Sequence, residues 1–132
     1  MVIDTSAALA ILFGEAEDEA FADAIDADPT RLMSAVSVLE ASIVVEARKG
    51  AAGGRELDLL LHRGRIEVVP FNAHQLELAR DAWRRFGKRR HPAGLNFGDC
   101  CAYALAAASG EPLLFKGDDF TRTDIQNALL RH

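Results

Sequence analysis

Along the chain, apolar residues come in blocks whose spacing switches between the period of a strand and the period of a helix. Val2-Ile3 is a short apolar run ending in Asp4. Thr5-Ser6 then opens the apolar stretch Ala7 to Phe13, closed by Gly14, which predicts strand, turn and helix. Apolar positions return at helical spacing from Asp18 to Ala27, and Asp28-Pro29 stops them ahead of a short strand over Arg31 to Ser34. A third helix is predicted from Ser37 to about Lys49, where Gly50 ends it. Gly50 to Gly54 reads as a turn, and Glu56 to His62 as a further helix carrying Leu57, Leu59, Leu60 and Leu61. Ile66, Val68 and Val69 make a β-branched strand closed by Pro70, and Asn72 to Gln75 has the form of a capping box opening a helix to about Phe86. Gly87 to Gly98 is irregular, Asp99 to Ser109 is an alanine-rich helix, and Glu111-Pro112 turns into the strand Leu113 to Phe115. Helices alternating with short apolar strands predict an α/β fold with a largely parallel sheet.

Composition narrows this picture. At 132 residues, 49% hydrophobic and 27% charged, the chain suits one compact domain. No apolar run approaches the roughly 18 to 20 residues needed to cross a bilayer, and Met1 leads straight into Val2 without a basic, apolar leader, so a soluble cytoplasmic protein with no membrane partner is expected. Cys100 and Cys101 are adjacent, which suits neither a disulfide framework nor a C-x-x-C pair; both are expected to be small core residues. Trp83, Tyr103 and the seven phenylalanines are likewise expected in the core and not as base-stacking platforms. The formal net charge of −5 argues against nucleic-acid binding through overall positive charge. The distribution matters more than the sum: Arg84, Arg85, Lys88, Arg89 and Arg90 crowd one short stretch ahead of His91, either a docking surface for a polyanion or a solvated helix face and loop.

The chemistry lies in the acids. In open parallel sheets, ligands bind beyond the carboxyl ends of the strands. Asp4 and the pair Asp118, Asp119 follow strands; Asp99 opens a helix after a loop, and Glu40 sits early in the helix after Ser34. Glu40 and Asp99 also have local explanations, since Ser37-Val-Leu-Glu40 and Asn96-Phe-Gly-Asp99 both match capping boxes. Asp4 is harder to explain locally, because an acid ending an apolar, central strand faces desolvation unless paired or metal-bound. Carboxylates gathered within about 4 Å repel by on the order of 4 kcal/mol per pair at an effective dielectric of about 20, so such a cluster needs a counter-charge. His62, His74, His91 and His132 show no ligand spacing, so the oxygen set selects Mg²⁺ or Mn²⁺ over zinc.

Taken together, Val2-Ile3-Asp4-Thr5-Ser6-Ala7, Glu40-Ala41, Leu95-Asn96-Phe97-Gly98-Asp99-Cys100 and the run Leu113 to Phe120 with Asp118-Asp119 resemble the PIN-domain ribonucleases. The chain is most similar to the VapC toxins of bacterial toxin–antitoxin pairs, over essentially its whole length. The resemblance implies a single PIN domain over residues 1–132, an α/β/α sandwich whose short, mainly parallel central sheet is surrounded by helices. It implies a Mg²⁺-dependent endoribonuclease, with Mn²⁺ as an alternative ion, in which metal-activated water hydrolyses RNA phosphodiester bonds. A cognate VapB-type antitoxin would neutralise it, and a homodimer is the usual assembly. By position, Asp4 and Asp99 would be the principal metal ligands and catalytic acids, with Glu40 completing the cluster. Asp119 would be the fourth acid, Asp118 being the alternative. Thr5 or Ser6 would hydrogen-bond within the site, and Arg84, Arg85, Lys88, Arg89 and Arg90 would bind RNA.

Two other readings fit less well. A haloacid-dehalogenase-like phosphatase needs a second aspartate two positions after the first, where this chain has Ser6. A receiver-like signalling domain, with Lys116 as its lysine, needs an accepting aspartate after the central strand, and the strand ending at Val69 runs into Pro70-Phe71. Which RNA is cut cannot be read from a short code, because RNA is recognised through shape and splayed bases.

Overall fold

The computed structural model describes residues 1–130; His132, one of the four histidines above, lies outside them. The element order is β1 (Val2–Ile3), α1 (Thr5–Leu12), α2 (Asp18–Ala27), β2 (Leu32–Ser34), α3 (Ala35–Arg63), β3 (Glu67–Val69), α4 (Ala73–Phe86), α5 (Phe97–Ser109), β4 (Leu113–Leu114) and a short 3₁₀ turn, Ala128–Leu130. The strands form one sheet in the order β3-β2-β1-β4, with every pairing parallel. The chain therefore steps outwards from β1 to β3 and returns to the other side of β1. The reversal falls between β1 and β4, whose carboxyl ends are the place where such sheets bind ligands.

Alternation along the strands sorts the core into two layers. Ile3, Met33 and Leu114 pack with Ala7, Phe21, Ala41 and Val45 under α1, α2 and α3, while Val2 and Leu113 pack with Leu95, Tyr103, Leu105 and Phe120 under α4 and α5. Strands buried on both faces must be apolar throughout, and their shortness is offset by helices on either side. This is the expected α/β/α sandwich. Among the described residues, no helix is long and apolar enough to cross a membrane. Cys100 and Cys101 are free and buried, as their adjacency suggested.

Several boundaries differ from the sequence expectation. The third helix begins at Ala35, not Ser37, because Ser34 is its N-cap and its hydroxyl accepts from the Val36 N–H at 3.2 Å. Nor does it end at Gly50. A single residue breaks it there (φ 64°, ψ −157°), and the helix resumes up to Arg63, so the expected turn from Gly50 to Gly54 is one residue long. Such a backbone is essentially restricted to glycine. Gly53 lets the two halves touch: a Cβ there would stand 2.6 Å from the Val45 carbonyl oxygen. At α4, Asn72 accepts from the Gln75 N–H at 2.9 Å, but the Gln75 amide donates to the Pro70 carbonyl at 3.1 Å, so the cap is only half of a box.

Candidate active site

Asp4 follows β1 and is the N-cap of α1, so strand and helix together fix its backbone. Its Oδ2 accepts from the Ser6 N–H at 3.1 Å and from the Ser6 hydroxyl at 2.6 Å. The Lys116 backbone N–H, just past β4, donates to that same hydroxyl at 2.9 Å. Ser6 thus couples the ends of the two strands that flank the switch point. Of the two residues the resemblance offered for hydrogen bonding within the site, Ser6 bonds Asp4 through its hydroxyl and Thr5 through its backbone N–H. The Thr5 hydroxyl donates to the Ser37 carbonyl at 3.2 Å, tying α1 to α3 and not to a site carboxylate.

The early start of α3 changes the standing of Glu40. With Ser34 as cap, Glu40 lies in the second turn, and its alternative role as a partner in a Ser37 capping box disappears. Its carboxylate rests against Gly98: a Cβ built there would come within 2.5 Å of Oε2 and 2.7 Å of Oε1. Sequence reasoning had treated Gly98 only as the end of a loop. It is in fact the floor under a candidate catalytic acid.

Asp99 does two things at once. Asn96 accepts from the Asp99 N–H at 2.9 Å while Asp99 Oδ2 accepts from the Asn96 N–H at 3.1 Å, a complete capping box at the start of α5. The same carboxyl also meets the charge of Asp4 and a side-chain hydrogen bond with Asp119. Of the two candidates for the fourth acid, Asp119 is therefore the one that reaches the cluster. The Asp118 carbonyl accepts from the Thr121 N–H and hydroxyl at 3.1 and 2.6 Å, placing Asp118 at the head of a turn.

Charge accumulates here without relief. Burial pushes the Asp4 carboxyl up to about 6 despite the Ser6 hydrogen bonds, and the nearby Glu40 charge adds to the rise. Burial also pushes Asp99 up to about 8, opposed by its Asn96 hydrogen bond and reinforced by Asp4 and Asp119. The Asp4 and Asp99 carboxyls repel when both are charged, so they titrate as a pair. Burial raises the Cys100 and Cys101 thiols to about 11, helped by Asp99 and Glu40 respectively, so both stay neutral. Among the described residues, no lysine or arginine forms an ion pair with Asp4, Glu40, Asp99 or Asp119. Lys116 is held away by Glu15 and Glu17, at 3.0 and 3.3 Å.

The donor set fits a hard divalent cation, since it is made of carboxylate oxygens with no imidazole and no thiolate among them. Among the described residues, no three acidic, histidine or cysteine side chains already stand closed around a point as metal ligands.

The basic stretch divides. Arg85 donates to Asp81 at 3.3 Å, Tyr103 at 3.3 Å and Asp124 at 3.1 Å, which commits it to holding α4, α5 and the C-terminal segment together. Arg90 lies 4.5 Å over the Trp83 ring. Arg89 is exposed in a left-handed turn (φ 68°). Arg84 and Lys88 line a cleft of about 610 Å³ on the far side of the first turn of α5. Tyr103 is buried as expected, but Trp83 is 47% and Phe97 78% exposed, against the expectation that both belong to the core.

Comparison with known proteins completes the description. The profile of the PIN domain family matches residues 1–126. Ribonuclease VapC30 of Mycobacterium tuberculosis is 55% identical over 130 residues, 98% of this chain and 99% of that protein. Ribonuclease VapC of Mycolicibacterium smegmatis is 56% identical over 125 residues, 95% of this chain and 97% of that one. Among solved structures, Mycobacterium tuberculosis VapC20, a Sarcin-Ricin loop cleaving toxin, superposes with a TM-score of 0.76 at 17% identity, covering 94% of this chain and 95% of its own.

Proposed function

This chain belongs to the PIN-domain family and, within it, to the VapC ribonucleases, and from that premise we propose that it is a toxin endoribonuclease that hydrolyses RNA at a Mg²⁺ or Mn²⁺ site built from Asp4, Glu40, Asp99 and Asp119. One observation carries the reading: at the switch point of a parallel sheet, Asp4 feels the charges of Glu40 and Asp99, and Asp99 that of Asp119, with no lysine or arginine paired to any of the four among the described residues. When bound there, a divalent ion supplies an activated water and offsets charge developing on the scissile phosphodiester.

The protein's own groups set the geometry. Asp4 and Asp99 are the principal ligands, each oriented by hydrogen bonds at a helix N-terminus. Ser6 holds the Asp4 carboxyl in one orientation through its hydroxyl. Glu40, seated on Gly98, and Asp119, beside Asp99, complete the set. Arg84, Lys88 and Arg89 bring phosphates towards the acidic edge, lowering the repulsion between RNA and the cluster.

The reading extends to partners. A VapB-type antitoxin silences the enzyme, and two copies form the working dimer. Leu39 and Ile43, one turn apart on α3 and 61% and 62% exposed, supply apolar surface of the kind such contacts cover. The test is cleavage of labelled RNA by purified, antitoxin-free protein with Mg²⁺ or Mn²⁺. Cleavage is expected to stop in EDTA and to fall at least about a hundredfold in Asp4→Asn and Asp99→Asn. Cleavage that survives both substitutions overturns the assignment.

A further inference from the structure

The cleft of about 610 Å³ beside α5 is walled by Phe71, Leu76, Trp83 and Phe97, with Arg84 and Lys88 also in its lining. Three features set it apart from an ordinary apolar groove. The first is continuity with the acidic site. Asn96 and Cys100 line the cleft, while Gly98 and Asp99, between them in sequence, face Glu40 and Asp4, so one helical turn separates the two. The second is preorganisation. The Trp83 indole is braced by the Arg90 guanidinium 4.5 Å over its ring and by Gly87, where a Cβ would stand 2.5 Å from the indole Cδ1. The third is charge. In a chain of net charge −5, the cleft lining carries three cations: Arg80 is paired with Glu77, while Arg84 and Lys88 have no ion-pair partner among the described residues.

We infer that this cleft is a nucleobase subsite for the RNA substrate, in which a base adjoining the scissile position stacks on Trp83 and Phe97 while Arg84 and Lys88 hold its flanking phosphates. Exposed aromatic faces beside unpaired cations are the means by which single-stranded RNA is gripped, because every base has a stacking face and every linkage a negative charge. An apolar protein segment would cover the same wall but leave the two cations unpaired, whereas a nucleotide supplies both a stacking face and a phosphate charge. The inference rests on the ribonuclease reading and adds to it where the unpaired strand lies.

Trp83 is the chain's sole tryptophan, so its fluorescence reports on the cleft directly. A single-stranded 2′-O-methyl octaribonucleotide, titrated in EDTA into the full-length protein, is expected to quench Trp83 saturably. Phe97→Ala should weaken binding about tenfold, and Phe97→Tyr should restore it. Replacing both Arg84 and Lys88 by alanine should flatten the salt dependence of binding. Phe97 is largely exposed, so its loss leaves the core intact. Sedimentation of the same variants supplies the competing outcome. If Phe97→Ala separates an oligomer and leaves oligonucleotide affinity unchanged, the cleft is an interface between copies and the proposal fails. If the wild type cuts RNA but the oligonucleotide leaves Trp83 unquenched, the subsite falls while the ribonuclease reading stands. Absence of both cleavage and quenching overturns both.

Discussion

Asp99 shows how one side chain can satisfy a local and a distant demand together. Its carboxyl completes the capping box with Asn96 and still meets Asp4 and Asp119, so the capping and site readings of the sequence were not exclusive. Gly98 beside it carries the opposite lesson. Glycine inside a helix costs about 1 kcal/mol relative to alanine, so its presence in the first turn of α5 asks for a reason. The reason is the Glu40 carboxylate, which occupies the space a side chain would take. Gly98→Ala is expected to leave the thermal midpoint unchanged or slightly raised while lowering the turnover rate for RNA about tenfold or more, since the flexible end of Glu40 must move. Wild-type turnover in that variant would show that the seat of Glu40 is idle.

At the scale of the element, the start of α3 decides the chemistry available to its residues. Two serines compete for the role of cap, and the structure gives it to Ser34. Ser37 is left inside the helix with its hydroxyl buried and unpartnered in the protein. Ser34→Ala should therefore cost about 1 kcal/mol of unfolding free energy, and Ser37→Ala should be neutral or slightly stabilising, as chemical denaturation can measure. A larger loss at Ser37 than at Ser34 would restore the capping box and remove Glu40 from the free acids. The break at Gly50 works at the same scale, since it kinks a single element without a loop.

For the whole molecule, the acidic cluster is an electrostatic liability. Asp4 and Asp99 have carboxyls near about 6 and 8 in the folded protein, against roughly 4 for an unfolded chain. Raised acids bind more protons folded than unfolded, so their contribution to stability falls as pH rises through this window. For Asp4 alone the shift corresponds to about 3 kcal/mol. Metal-free protein is therefore expected to melt higher at pH 5 than at pH 8. Mg²⁺ should raise the midpoint more at pH 8 than at pH 5, and Asp99→Asn should flatten the metal-free dependence. Calorimetry across that range checks it, and a metal-free midpoint that climbs with pH in wild type and variant alike would contradict the cluster's electrostatics.

What the sequence determined by itself was everything carried by neighbours a few positions apart: the type and order of the elements, the apolar strands, the Asn96 cap and the set of acids placed after strands. Periodicity and the Asn96 cap depend on residues a few positions apart, so they can be read without knowing the tertiary arrangement. What only the tertiary structure decided were distances between segments far apart in the chain. It chose Asp119 over Asp118 as the acid that reaches Asp99, and turned the Thr5 hydroxyl to α3. It put Gly98 under Glu40, spent Arg85 on Asp124 while leaving Arg84 in the cleft, and brought Trp83 and Phe97 to the surface. Each of these follows from how helices pack across a parallel sheet: periodicity marks the face a helix buries, but not which residues of a distant element it meets there.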